Sequence, residues 1–204
     1  MKKIMFNDLY SLTLAVLKKL KKKTRRSLPQ NEGERINAFQ QEYYEASLDW
    51  LEGKDLLEAY YLVNHKERLP FKVGDIVAIA QNYEAAGYEP GRNIHNSKTG
   101  YDERADSLAG WSNKMFVSAD LMPHHIKITD IQIELLQDIS NEDCLAEGIY
   151  PCKGTLKGLY TYDNAPTYYE TPRKAFASLI DKISGKGTWE SNPYVLVYSF
   201  EFVN

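Results

Sequence analysis

Thr24 is the hydroxyl in this chain best placed to do chemistry. From Lys18 to Arg26 the sequence puts seven cationic side chains into nine residues, and Thr24 is the single hydroxyl among them. It follows Lys21 by three residues and precedes Arg25 and Arg26. A hydroxyl in such a cluster can act as a nucleophile or as a ligand for phosphate. The cluster makes a local positive field, and the nucleic-acid backbone is its natural partner. The plainer reading is a solvated helix end whose cations favour the helix dipole. The net charge of −3 argues against a protein that coats nucleic acid over its whole surface, so any such binding must be local.

Other chemistry-bearing residues are sparse. Cys144 and Cys152 are too few for a zinc cage. His65, His95, His124 and His125 lack metal-ligand spacing, so neither a metal nor a cofactor is expected. Trp111, Tyr160 and Tyr162 are expected to pack under long loops, with base stacking as the functional alternative. No apolar run approaches the roughly 20 residues that span a bilayer. The first residues show no apolar core with a cleavage site, and a cytoplasmic protein without membrane contact is expected.

The elements that must position the cluster follow from periodicity. Leu9, Leu12, Val16 and Leu20 recur at helical spacing after Asn7-Asp8, which predicts a helix over about 9–20. A second helix is expected over 34–51, carrying Ile36, Phe39, Tyr43, Ala46 and Trp50. Gly74-Asp75 reads as a turn feeding the strand 76–80. Residues 87–113 read as a long loop, and Lys114 to Val117 as a short strand. In 125–136 the alternation of Ile126 and Ile128 slips at Thr129-Asp130 to that of Ile131, Ile133 and Leu135. Such a slip predicts a bulge or a bent strand, which suits a small closed barrel. Ser140 with Asp143 resembles a capping box for a helix ending near Glu147-Gly148. Residues 150–170 read as a Tyr-rich loop. Thr171-Pro172 starts a helix that Gly185 stops, and 194–203 is a core strand. The expected class is α+β.

Four segments together resemble the ASCH domain family, whose fold is a small mixed β-barrel like that of the PUA RNA-binding domain. They are Leu17 to Arg26, Val73-Gly74-Asp75-Ile76-Val77, Ile126 to Ile149, and Ile180 to Phe202 with Trp189 and Asn192-Pro193. Each is weak alone; their order and spacing carry the resemblance over about half of the chain. It implies one domain over 1–204, with a helical insertion at about 30–69 and long loops at about 84–113 and 150–170. The longer members that share Asn192-Pro193 and the Lys114 region look like phage and prophage proteins.

The resemblance also implies binding of RNA or a modified nucleoside, through Lys21, Thr24, Arg25, Arg26 and Lys114. Compact members hydrolyse the amide of N4-acetylcytidine with a lysine, a threonine and a glutamate, which fall here on Lys21, Thr24 and Glu147. Thr24 would attack the carbonyl. Lys21, its pKa pushed down by like charge, would act as base. Glu147 would orient the pair or protonate the leaving amine. Lys22 and Leu20 stand where relatives often carry threonine and arginine, so acyl specificity does not carry over directly. Three readings result, in this order: a binding module, an amidohydrolase, and a phage-associated accessory protein without catalysis.

Overall fold

A computed structural model describes residues 1–28, 34–39, 41, 60, 69–96, 99–162 and 167–203. The sheet is organised by β6, His125–Leu135, and β9, Tyr194–Val203, which pair antiparallel along most of their length. Ile126 and Ile128 are fully buried at one parity, and Ile133 is buried at the other. The register shifts between Ile128 and Asp130, so Thr129 is the extra residue of a bulge, as the slipped alternation predicts. The bulge keeps isoleucines pointing into the core on both sides of the bend. In β9, Val195 and Val197 are as buried as Leu196 and Tyr198, so both faces of this strand are covered.

Three short strands complete the sheet. β1 (Lys2–Ile4) runs parallel to β3 (Ile76–Ile79), β3 pairs antiparallel with β6, and β2 (Lys23–Ser27) pairs antiparallel with β9. The order is β1-β3-β6-β9-β2, a mixed five-stranded sheet. Among the described residues no pairing joins β1 to β2. With its helices the protein is α+β. No helix among the described residues is long and apolar enough to cross a membrane.

The first helix, α1, is Leu12–Leu17 and shorter than the spacing suggests. Asn7 Oδ1 accepts from the Leu9 amide and the Asn7 carbonyl from the Leu12 amide, so residues 7–11 form a turn before the helix begins. Helix α2, Asn141–Ala146, starts at Ser140, whose hydroxyl accepts from the Asp143 amide at 3.0 Å. Helix α3, Pro172–Ser184, is capped by Thr171 and buries Phe176 and Leu179. Each such ring or aliphatic side chain contributes about 1.5–3 kcal/mol on burial. Helix α4 is Thr188–Ser191.

The loops hold more structure than expected. Residues 93–96 (β4) and 101–104 (β5) form a hairpin, and Ile94 joins a second small core with Ala78, Tyr83 and Met122. Lys114–Phe116 is a 3-10 turn in place of the expected strand, because Asn113 Oδ1 accepts from the Met115 amide at 2.9 Å and closes the backbone on itself. β7 (Tyr150–Pro151) pairs with β8 (Tyr160–Thr161) inside the Tyr-rich segment. Residues 34–39 are helical and Ile36 is fully buried in the main core. The remainder of the helix expected over 34–51 lies outside the described residues.

Candidate functional site

Two helix ends meet where the cationic segment enters the sheet. At the end of α1 the Leu20 amide donates to the Ala15 carbonyl and the Lys19 amide to the Val16 carbonyl, a Schellman motif. Its left-handed position is Lys19, with φ 60°. At the end of α2 the Ile149 and Gly148 amides donate to the Cys144 and Leu145 carbonyls, a second such motif. Its left-handed position is Gly148, with φ 103°. A side chain at 148 would make only ordinary contact with Ala15 Cβ at 3.5 Å and Lys21 Cβ at 3.6 Å, so it is the left-handed conformation that calls for glycine. The Lys22 amide then donates to the Ala146 carbonyl at 2.7 Å and fixes one helix end against the other.

This junction brings Lys21 onto Glu147, 126 residues away in sequence. The Lys21 ammonium donates to the Glu147 carboxylate and, at 2.8 Å, to its main-chain carbonyl. Both residues are buried, at 3% and 4% exposure. Arg25 completes the pairing: one guanidinium nitrogen lies 3.0 Å from Glu147 Oε1, and two others donate to Glu134 Oε1 at 2.9 and 2.6 Å. Asp143 bridges Arg25, at 3.2 Å, and Lys23, at 2.6 Å. Buried charge is tolerated only when paired in this way. Desolvation holds the Lys21 pKa below its ordinary 10.5, with Glu147 opposing it and Arg26 and Arg25 adding to it. Burial pushes the Cys144 thiol up to about 12, which keeps it inert.

The network opens on a cleft of about 150 Å³ lined by Lys21, Thr24, Arg25, Arg26, Glu147 and the apolar rings and chains of Phe6, Leu12, Phe176 and Leu179. It lies along β2, the last strand in the sheet order, which is why residues of both parities reach it. Thr24 is buried at 5% exposure, and among the described residues its hydroxyl has no hydrogen-bond partner. It is not bonded to Lys21, whose amine is committed to Glu147. Arg26 also lines the cleft; its guanidinium donates to the Met5 carbonyl.

Lys114 does not line the cleft. It pairs with Asp8 at 2.6 Å and donates to the Phe6 carbonyl, tying down the turn before α1. Tyr162 is buried, and Trp111 packs on the second core. Among the described residues no group of three His, Cys, Asp or Glu could hold a metal ion.

Glu134 and Asp143 are members of this ion-pair network that residue type and spacing do not single out. Asp143 shows only as a capping-box position, and its carboxylate turns outward to Lys23 and Arg25. Glu134 depends on the bulge: the extra residue at Thr129 gives it the face it shares with Arg25 across β9. The slipped alternation is the signal that could have placed it. Comparison with family models, curated proteins and solved structures gives no match to this chain.

Proposed function

We propose that this chain is an ASCH-type, PUA-like protein whose cleft takes a single acylated nucleoside such as N4-acetylcytidine and hydrolyses its amide. The reading rests on one observation above others. Lys21 from the connection into β2, Thr24 from β2 itself and Glu147 from the end of α2 line one small cleft, and the threonine hydroxyl there is unengaged among the described residues. The bend in β6 supports the barrel as the scaffold, and the cytoplasm as the compartment belongs to the same reading.

The chemistry proceeds by acyl transfer. Thr24 Oγ forms a bond to the acyl carbonyl carbon while its proton passes to neutral Lys21 Nζ. Desolvation favours that neutral form. The carbon–nitrogen bond breaks, and the leaving amine takes the proton back from Lys21. Water then cleaves the threonine ester, which releases the carboxylic acid and restores the hydroxyl. Glu147 holds Lys21 in place through both its carboxylate and its carbonyl.

Association of RNA with Lys21 and Arg25 draws less support, because both side chains are buried and ion-paired rather than spread along an open groove. The test is incubation of the purified protein with N4-acetylcytidine and chromatographic measurement of cytidine. The parent protein is expected to release it, and Thr24→Val to lose nearly all of that rate. A Thr24→Val protein that keeps the rate removes threonine as nucleophile; no turnover by the parent removes the hydrolase reading.

A further inference from the structure

A second concavity, of about 270 Å³, lies beside the cleft and shares only Lys21 with it. Lys19, Lys22, Glu201, Phe200 and Phe202 line it; Phe200 is buried and Phe202 is half-buried. Lys18, Lys19 and Lys22 are exposed, and among the described residues none of them has a carboxylate partner. This contrasts with Lys2, Lys23, Lys114 and Lys174, each of which pairs with an acid. Glu201 faces Lys127 across the strand pair, 3.9 Å away.

Lys19 carries the second observation. It holds the left-handed position of a Schellman motif, where glycine is the unstrained residue and any side chain is disfavoured. The strained backbone sets the Lys19 ammonium over the Phe202 ring, 5.1 Å from its centre. Strain kept at an exposed cation points to a use for that cation.

We propose that Lys19 and Lys22 form a phosphate subsite beside the half-buried Phe202 ring, so that the protein takes phosphorylated ligands: a nucleoside monophosphate or the phosphodiester of single-stranded RNA. Two ammonium groups supply charge-assisted donors to phosphate oxygens, and the Phe202 ring receives the sugar or base. The subsite stands independently of hydrolysis in the cleft.

The test uses the full chain and three probes: cytidine, cytidine 5′-monophosphate, and a labelled single-stranded RNA of mixed sequence. Calorimetry reads the first two and fluorescence anisotropy the third, at low and high salt. Lys19→Gly and Lys22→Gln are each expected to weaken phosphorylated probes about tenfold and to leave cytidine unchanged. The RNA salt slope should fall by about 0.7 for each phosphate that a variant no longer neutralises. Lys18→Gln removes the same charge outside the concavity and is expected to change little. Lys19→Gly keeps the fold, which a melting temperature at or above that of the parent verifies.

Weaker binding of the monophosphate assigns the subsite to mononucleotides; weaker binding of RNA alone assigns it to a polynucleotide. No binding of either phosphorylated probe overturns the proposal. So does Lys18→Gln weakening binding as much as the other two, which would leave only a diffuse field. Failure of the hydrolase reading leaves each of these measurements intact, because they read binding.

Discussion

At the residue scale, Thr24 and Lys19 separate chemistry from stability in opposite ways. Thr24→Val replaces a cleft-facing hydroxyl that has no partner among the described residues with a methyl of similar shape. Removing an unpartnered polar group costs little, so the denaturation midpoint is expected to hold or rise even as hydrolysis is lost. Lys19→Gly removes the left-handed penalty and should stabilise the protein by up to about 1 kcal/mol in urea titration, since glycine's unfolded-state entropy cancels part of the relief. Glu147→Ala does the reverse. It leaves Lys21 and Arg25 buried with one acid fewer, and a loss of about 3–5 kcal/mol is expected from chemical denaturation. The types of Lys21, Thr24 and Glu147 were legible in the chain. The commitment of Lys21 to Glu147 in place of Thr24 was not, because it depends on where two helices stop.

The elements that carry the site were legible to the extent that local chemistry decides them. Ser140 and Thr171 caps, the Gly185 stop and the slipped isoleucines of β6 all stand where short-range pattern puts them. Lys114–Phe116 departs from the pattern because one asparagine side chain overrides a weak strand preference. The sheet order was not legible, since β1 joins β3 and β2 joins β9 through pairings that no local signal encodes. The bulge is the element with the most direct test. Deleting Thr129 should return β6 to strict alternation and turn either its early or its late isoleucines out of the core. If the register holds at the His125 end, Glu134 leaves Arg25. Amide exchange of β6 and β9, expected to be much faster in the deletion variant, reads this directly.

For the whole molecule, pH acts through the buried network at both ends of the scale. Burial alone would raise the Asp143 pKa, but Lys23 and Arg25 override it and hold the carboxyl below its ordinary 3.8. Its contribution is therefore present above pH 3.8 and lost as pH falls through the lower folded value. Lys21 has the opposite sense of charge and a folded value below 10.5, so its burial penalty is full below that folded value and is relieved as pH rises from it toward 10.5. Denaturation midpoints between pH 2 and 11 should show Asp143→Asn losing part of the acid limb and Lys21→Met losing part of the alkaline rise. The pairing of β2 with β9 has a consequence in time as well. The strand that carries Thr24 and Arg25 ends at Ser27, yet its partner ends at Val203. A ribosome adding about 5–20 residues per second needs roughly 10–35 s to travel that distance. Throughout that interval the basic strand has been made and its neighbour in the sheet has not. The nascent chain therefore carries its densest positive charge unpaired beside the ribosome's own RNA, and the cleft comes into being only when synthesis reaches the final strand.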